Sequence, residues 1–178
     1  MGEMKFKFTI QDYQTEAVDS VVNVFAGQPF QDKIHYRRDI GVINPSEKLS
    51  CYKGGSISDE ELLVGVSNAP VALDEHQLLL NIWDIQNNNN IRQSNSSLAK
   101  HMGACSLDVE METGTGKTYV YIKTMFELNK RYGWSKFIVV VPSIAIREGV
   151  QKSFQTMQDH FMEQYGKKAR FFVGGLYN

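Results

Sequence analysis

The stretch METGTGKT at residues 111–118 decides how this chain is interpreted. A short apolar segment at 107–111 leads into it, and an amphipathic pattern over 117–131 follows it. A strand, a glycine-rich turn and a helix in this order form the context in which such a turn binds phosphate. Gly114 and Gly116 allow backbone conformations that point successive N–H groups at an anion, and the helix N-terminus adds partial positive charge.

The polar positions of this loop predict binding of ATP with Mg²⁺. Lys117 can reach the β- and γ-phosphates as a point charge, and the Thr118 hydroxyl can ligate Mg²⁺, so both are catalytic candidates. Met111 stands where the strict motif has glycine. That departure weakens a kinase-like or GTPase-like interpretation and fits the helicase variant of the motif. The predicted nucleotide-binding residues of the loop are Thr113, Gly114, Thr115, Gly116, Lys117 and Thr118.

Hydrophobic periodicity predicts an α/β fold around the loop. Besides the helix over 117–131, the spacing of apolar residues predicts helices at 11–26, 74–86 and 144–165. Short apolar runs predict strands at 107–111, 136–141 and 170–173. The second of these is a continuous β-branched run, typical of a strand buried on both faces. The resulting β-α-β-α-β order predicts a parallel sheet with helices on its faces.

Residues 30–106 are predicted to be an insertion or spacer before the loop. Their regular pieces are two strand-like runs and one helix, at 33–42, 62–66 and 74–86. Asp74-Glu75 resembles an acidic box that holds Mg²⁺, but it precedes the loop, and Asp74 suits a helix N-cap better. His101 and Cys105 have the spacing of two metal ligands, but without a second pair the arrangement is incidental.

Composition excludes several classes of protein. The 178 residues contain two cysteines, too few for a disulfide scaffold, and no apolar run long enough to cross a membrane. The N-terminus lacks an apolar signal region, so a soluble cytoplasmic protein is expected. The net charge is −1, yet residues 117–178 carry ten basic and four acidic side chains, a net charge of +6. This asymmetry is compatible with contact to nucleic-acid phosphates or with a solvated helix face.

Two further positions are candidates for contacts beyond the loop. Gln14 follows Tyr13 in the first predicted helix, about 100 residues before the loop. A primary amide both donates and accepts hydrogen bonds, so Gln14 is a candidate reader of the adenine edge. Ser143 suits the N-cap of the helix over 144–165, and with Arg147 one turn later it is a candidate contact for the DNA backbone. Helix capping alone is the alternative for Ser143.

The string METGTGKTYVYIKTMFELNKRYGWSKFIVVVPSIAIREGV, residues 111–150, resembles motif I through motif Ia of the superfamily 2 helicase motor. More narrowly, it resembles the Res subunit of type III restriction enzymes. The helix around Gln14 resembles that family's Q-motif region, and residues 78–91 resemble its spacer before motif I. The resemblance implies a Q-motif region at 1–29, a spacer at 30–106 and, at 107–178, a truncated first RecA-like lobe. It also implies an ATP-dependent translocase on double-stranded DNA, with a distant nuclease and a modification methyltransferase partner.

The chain by itself is expected to bind ATP without turning it over. The acids after Thr118 all fall in predicted helices: Glu127, Glu148, Asp159 and Glu163. An acidic box after the loop, an arginine finger and a second lobe are not among the 178 residues, and phosphoryl transfer depends on such groups. Two alternatives remain: a nucleotide-binding or interaction module that never hydrolyses ATP, and another P-loop enzyme such as a small-molecule kinase. Met111 and the Pro-Ser-x-Ala-Ile string after 141 count against the kinase.

Overall fold

Helices make up the regular structure of the part of the chain that the computed structural model describes, residues 8–31, 68–95 and 105–173. They are α1 Asp12–Asn23, α2 Glu75–Asn88, α3 Lys117–Tyr132 and α4 Ile144–Tyr165. They confirm the four helices predicted from periodicity, with ends shifted by three residues at most. The strand-like runs at 33–42 and 62–66 lie outside the described residues.

Side-chain caps begin two of these helices, as predicted. The Asp74 carboxylate accepts a hydrogen bond from the Gln77 backbone N–H at 2.7 Å, and the Ser143 hydroxyl accepts one from the Ile146 N–H at 3.3 Å. Each cap satisfies a donor that the first turn of a helix leaves without an intrahelical partner. The side-chain Nε2 of Gln77 donates to Asn81 Oδ1 at 3.0 Å.

The first helix lies beside the helix that follows the loop. Val18 and Val22 of α1 are buried in one apolar cluster, together with Val120, Leu128, Tyr132 and Trp134. The Tyr132 hydroxyl donates to the Val22 carbonyl at 2.9 Å, and Arg131 donates to Asp19 Oδ1 at 2.8 Å. Residues later in α1 contact residues later in α3, so the two helices run parallel.

The fourth helix packs on another face of α3 through aromatic rings. Phe126 stacks on Phe161 with ring centroids 4.9 Å apart and on Tyr165 at 5.1 Å, and Ile122 is fully buried beside them. The Tyr165 hydroxyl donates to Glu127 Oε1 at 2.8 Å. These contacts also advance together along the two helices, so α4 runs parallel to α3.

None of the three predicted strands, at 107–111, 136–141 and 170–173, forms a strand in the described residues. A strand needs backbone partners on a neighbouring chain segment, and no such pairing joins these segments to each other. The prediction of burial on both faces of 136–141 is wrong for this structure, because Ile138 is 92% exposed and Val140 is 83% exposed. The Asn68 side chain binds both backbone groups of Lys136, at 2.9 Å and 2.7 Å.

Within the described ranges, no helix combines the length and the apolar character that a membrane crossing requires.

Candidate nucleotide-binding site

The loop before α3 has the backbone geometry of an anion cradle. Gly114 and Gly116 have φ angles of +85° and +86°, in the left-handed region that favours glycine. Thr115 turns back on Glu112, whose carbonyl accepts from the Thr115 hydroxyl at 2.7 Å. Apart from Gly114 itself and its two chain neighbours, no atom of the described residues lies within 4 Å of the place where a Gly114 Cβ would stand. The loop therefore has room for an anion at Gly114 and a helix N-terminus directly after Gly116.

Lys117, the first residue of α3, has its ammonium group folded back over this loop. Its Nζ donates to the Met111 carbonyl and, at 3.0 Å, to the Glu112 carbonyl. An ammonium has three donors, so two carbonyls hold its charge at the loop and one N–H remains for an anion. The predicted phosphate ligand is thus positioned by the backbone of the loop itself.

Gln14 reaches this loop from α1, 101 residues earlier in the chain. Its Nε2 donates to the Thr115 carbonyl at 3.0 Å, and the Tyr13 hydroxyl donates to the same oxygen at 3.1 Å. A Cβ built on Gly116 would stand 2.5 Å from Gln14 Nε2, so only glycine lets the amide approach this closely. The structure therefore places the candidate adenine reader, Gln14, against the glycine-rich loop, although the two are about 100 residues apart in sequence. Tyr13, which directly precedes Gln14, is a further residue of this contact that the sequence did not indicate.

Lys123, on α3, is a buried cation next to α1 that sequence reasoning missed. It is only 8% exposed, its Nζ donates to Thr15 Oγ1 at 3.1 Å, and it lies 6.0 Å from the centroid of the Tyr119 ring. No carboxylate of the described residues lies within 4.0 Å of this ammonium. The sequence does not distinguish a buried helical lysine from a solvated one, so the burial of Lys123 is known only from the fold.

An imidazole from α4 extends this cluster. His160 Nε2 lies 3.1 Å from the Tyr119 hydroxyl, and the ring of Phe8 lies 5.0 Å from the imidazole. Burial lowers the pKa of His160; the Glu163 carboxylate opposes this shift and the Lys123 ammonium adds to it. The cluster therefore favours a neutral imidazole.

Thr118 and Tyr121 lie one turn apart at the start of α3. Thr118, the predicted Mg²⁺ ligand, is half-buried. The Tyr121 hydroxyl is buried and finds no hydrogen-bond partner among the described residues. Burial raises the pKa of Tyr121, and the nearby Thr118 side chain opposes this shift without making a hydrogen bond of normal geometry.

Ser143 and Arg147 lie together at the start of α4, apart from the loop. The Arg147 backbone N–H donates to the Ser143 carbonyl at 3.0 Å, and the Ser143 hydroxyl caps the helix. No hydrogen bond among the described residues joins either of them to 111–118. They remain candidates for a separate contact with a DNA strand.

The residues outside the loop that resemble metal ligands, Asp74, His101 and Cys105, form no metal site among the described residues. Asp74 is engaged as the N-cap of α2. Cys105 is a free thiol whose pKa is raised by burial, and His101 lies outside the described residues. Across residues 8–31, 68–95 and 105–173, no three His, Cys, Asp or Glu side chains come together as a metal site.

Comparison with known families identifies the chain. The model of the family described as "Type III restriction enzyme, res subunit" matches residues 7–175. The chain belongs to this family. The match runs from before α1 to beyond α4, so the Gln14 helix, the spacer and the loop all fall within one Res-subunit match.

Alignments with individual Res subunits agree with this family assignment. The chain is 38% identical over 110 residues to the EcoP15I Res subunit of Escherichia coli and 36% identical over 108 residues to the EcoPI Res subunit of Escherichia phage P1. These alignments cover 61% and 60% of the chain and 11% of each relative. A shorter match, 48% identity over 62 residues, joins 34% of the chain to 6% of the StyLTI Res subunit of Salmonella typhimurium.

The aligned part spans about a tenth of these Res subunits. Family membership indicates a helicase-like P-loop fold.

Proposed function

We propose that this chain is the ATP-binding N-terminal part of the motor of a type III restriction enzyme. In the complete enzyme, ATP hydrolysis would drive movement along double-stranded DNA and lead to its cleavage. The observation that carries the proposal is the contact of Gln14 with Thr115 and Gly116. It joins a candidate adenine reader to a phosphate-binding loop across 101 residues of sequence.

The loop residues fit ATP with Mg²⁺. In this proposal the backbone N–H groups of 113–116 surround the β-phosphate, and Lys117 binds the β- and γ-phosphates. The Thr115 N–H would exchange its long hydrogen bond to the Glu112 carbonyl, at 3.5 Å, for one to the phosphate. The open space beside Gly114 supports this assignment, since a phosphate oxygen needs room close to the backbone. Thr118 supplies a hard oxygen donor, which is the ligand type that Mg²⁺ prefers. The metal would supply positive charge that offsets the charge developing on the phosphates.

The orientation of the Gln14 amide supports recognition of adenine. The Thr115 carbonyl only accepts hydrogen bonds, so Gln14 must turn its Nε2 towards it, and the same Nε2 also donates to the Tyr13 hydroxyl at 3.4 Å. Both N–H groups are thereby used, and Oε1 is left as an acceptor. The adenine amino group donates to such an acceptor, whereas the guanine O6 is itself an acceptor. We therefore expect ATP to be preferred over GTP.

The parallel arrangement of the helices supports the parallel sheet of a RecA-like lobe. Because α3 and α4 run in the same direction, the chain between them must return along the full length of α3. Sixteen residues of helix are roughly 24 Å long. The linking residues 133–143 span up to roughly 36 Å when extended, which suffices for a return as a strand. The apolar run at 136–141 lies within this link, so we propose that it is a strand of the complete sheet.

Contacts outside the nucleotide site complete the proposal. We propose that Ser143 and Arg147, at the N-terminus of α4, bind the phosphate backbone of double-stranded DNA. The partner subunit would be a modification methyltransferase, as expected for a Res subunit of a restriction-modification enzyme, and the enzyme would act in the cytoplasm. DNA sequence would then be read by the partner and not by these residues.

A narrower role fits the 178 residues by themselves. Glu127, the first acid after Thr118, accepts a hydrogen bond from Tyr165 and lies 3.5 Å from the Arg131 Nε. It is therefore engaged between α3 and α4 and is a poor candidate for holding Mg²⁺. This supports nucleotide binding without hydrolysis by the chain alone. The third possibility, a small-molecule kinase, is disfavoured by membership of the Res family.

Phosphate release by the full-length enzyme with its modification subunit tests the proposal. With Mg²⁺ and double-stranded DNA we expect DNA-stimulated hydrolysis that is abolished by Lys117→Ala. Lys130→Ala, on the same helix but away from the loop, is the matched control and should retain activity. Hydrolysis that persists in Lys117→Ala would refute the assignment of the loop.

A further inference from the structure

A buried lysine with no carboxylate partner among the described residues needs a physical explanation. Lys123 is more than nine-tenths buried, and its only hydrogen bond in the described part of the chain is the one it donates to Thr15 Oγ1. Removing an ammonium from water is costly unless it is paired, so an apolar side chain here would cost less. An apolar side chain would lose the hydrogen bond to Thr15 and the contact of the ammonium with the Tyr119 ring, and of these only the hydrogen bond reaches α1.

That hydrogen bond connects α3 to the residue next to Gln14. Thr15 accepts from Lys123 and donates through the same hydroxyl to the Gln11 carbonyl at 3.4 Å. Gln14, its neighbour on α1, donates to Thr115. The apolar contacts between α1 and α3 lie further along, at Val18 and Val22, and apolar packing does not by itself fix the position of a helix end. Near Gln14, the polar contact that the described residues make between the two helices is the hydrogen bond of Lys123 with Thr15.

We propose that Lys123 is a positioning residue for nucleotide recognition. By binding Thr15 it holds the first turn of α1 so that the Gln14 amide stays against Thr115 and Gly116 with Oε1 available to the base. This inference rests on the proposed role of Gln14. It assigns Lys123 no contact with the nucleotide, so its loss acts through the base and leaves the phosphate contacts in place.

The test compares ATP and GTP affinities of the full-length protein. Lys123→Met keeps the length of the side chain and removes the donor, and Thr15→Val keeps the shape and removes the acceptor. Each should lower the preference for ATP over GTP by about 2- to 10-fold, the range expected for one hydrogen bond. GTP affinity should change little. Thr15→Ser, which keeps the hydroxyl, should retain the preference.

A second comparison separates positioning from a general structural role. Because Lys123→Met removes a buried cation, its melting temperature should equal or exceed that of the wild type while the ATP preference falls. Combined with Gln14→Ala, it should cause no further loss of preference, since both changes act on one amide. Lys130→Met is the matched control, because Lys130 also lies over an aromatic ring, Tyr165, at 5.9 Å but has no part in the α1 contact.

The outcomes distinguish this inference from the function on which it rests. Equal losses for ATP and GTP in Lys123→Met would overturn it, since they would indicate a direct effect of charge on the phosphates. An unchanged preference in both Lys123→Met and Thr15→Val, with Gln14→Ala still impaired, would overturn it while leaving the proposed function intact. A wild-type protein without ATP preference, unaffected by Gln14→Ala, would instead refute the adenine assignment itself.

Discussion

Gly114 and Gly116 form a matched pair whose replacement by alanine measures the contact between α1 and the loop. Their φ angles, +85° and +86°, place an added Cβ in the left-handed region at both positions, so both variants carry backbone strain of similar kind. Their surroundings differ. A Cβ at Gly114 has no described neighbour within 4 Å, whereas one at Gly116 would stand 2.5 Å from Gln14 Nε2. The difference between the two variants therefore isolates Gln14.

The expected magnitudes follow from strain and from lost hydrogen bonds. A left-handed conformation costs an alanine about 1–2 kcal/mol, and this is the whole expected loss for Gly114→Ala. Gly116→Ala must also displace an amide that is only 9% exposed, breaking its bonds to Thr115 and Tyr13. Leaving such a buried group unpaired costs about 1–3 kcal/mol. We expect Gly116→Ala to be the more destabilising variant by that amount.

Denaturant unfolding without nucleotide is the appropriate assay, because it excludes effects on phosphate binding. The excess cost of Gly116→Ala should largely disappear in a Gln14→Ala background, where no amide remains to be displaced. Equal destabilisation by the two substitutions in the wild-type background would refute the contact between Gln14 and Gly116.

Three further predictions concern other parts of the chain. Tyr121→Phe should leave the free energy of unfolding unchanged or slightly raised, because the buried hydroxyl makes no hydrogen bond with the described residues. Tyr132→Phe should lower the free energy of unfolding by about 0.5–1.5 kcal/mol, because it removes the hydrogen bond to the Val22 carbonyl. Denaturant unfolding measures both effects. Burial lowers the pKa of His160 in the folded chain below its value of about 6.5 in the unfolded chain. The unfolded chain therefore binds the proton more readily, and stability should fall as the pH drops below about 6.5. His160→Gln should weaken that pH dependence, and an equally steep dependence in the variant would contradict the assignment. The 178-residue chain alone should release no phosphate from ATP at a sustained rate with Mg²⁺ and double-stranded DNA, and release that Lys117→Ala abolishes would show this prediction to be wrong.

The sequence predicted the helices well because their signals are local. The apolar spacing of α1 and α4 and the caps at Asp74 and Ser143 depend on residues within one or two turns. The signal for the loop at 111–118 was equally local, since its glycines and Lys117 lie within four consecutive residues. Such features keep their meaning whatever surrounds them.

Features that depend on distant partners were harder to predict. The run at 136–141 has the composition of a buried strand, but burial depends on neighbouring segments, and Ile138 and Val140 are exposed in the described structure. Lys123 had no distinguishing signal, because a helical lysine is usually solvated and its burial follows only from the position of α1. Gln14 was predicted from the chemistry of its amide and from the motif resemblance, but its contact with a loop 101 residues away follows only from the fold.

The central claim is that the loop at 111–118 binds ATP through Lys117 while α1 recognises the base. Calorimetric titration of the protein with a non-hydrolysable ATP analogue and Mg²⁺ tests it most directly, with Lys117→Ala and the control Lys130→Ala measured alongside. We expect saturable binding that Lys117→Ala weakens by about 10- to 100-fold, the value of one charge-assisted contact, with an unchanged circular dichroism spectrum. Binding of equal affinity in the wild type and in a folded Lys117→Ala variant would contradict the claim.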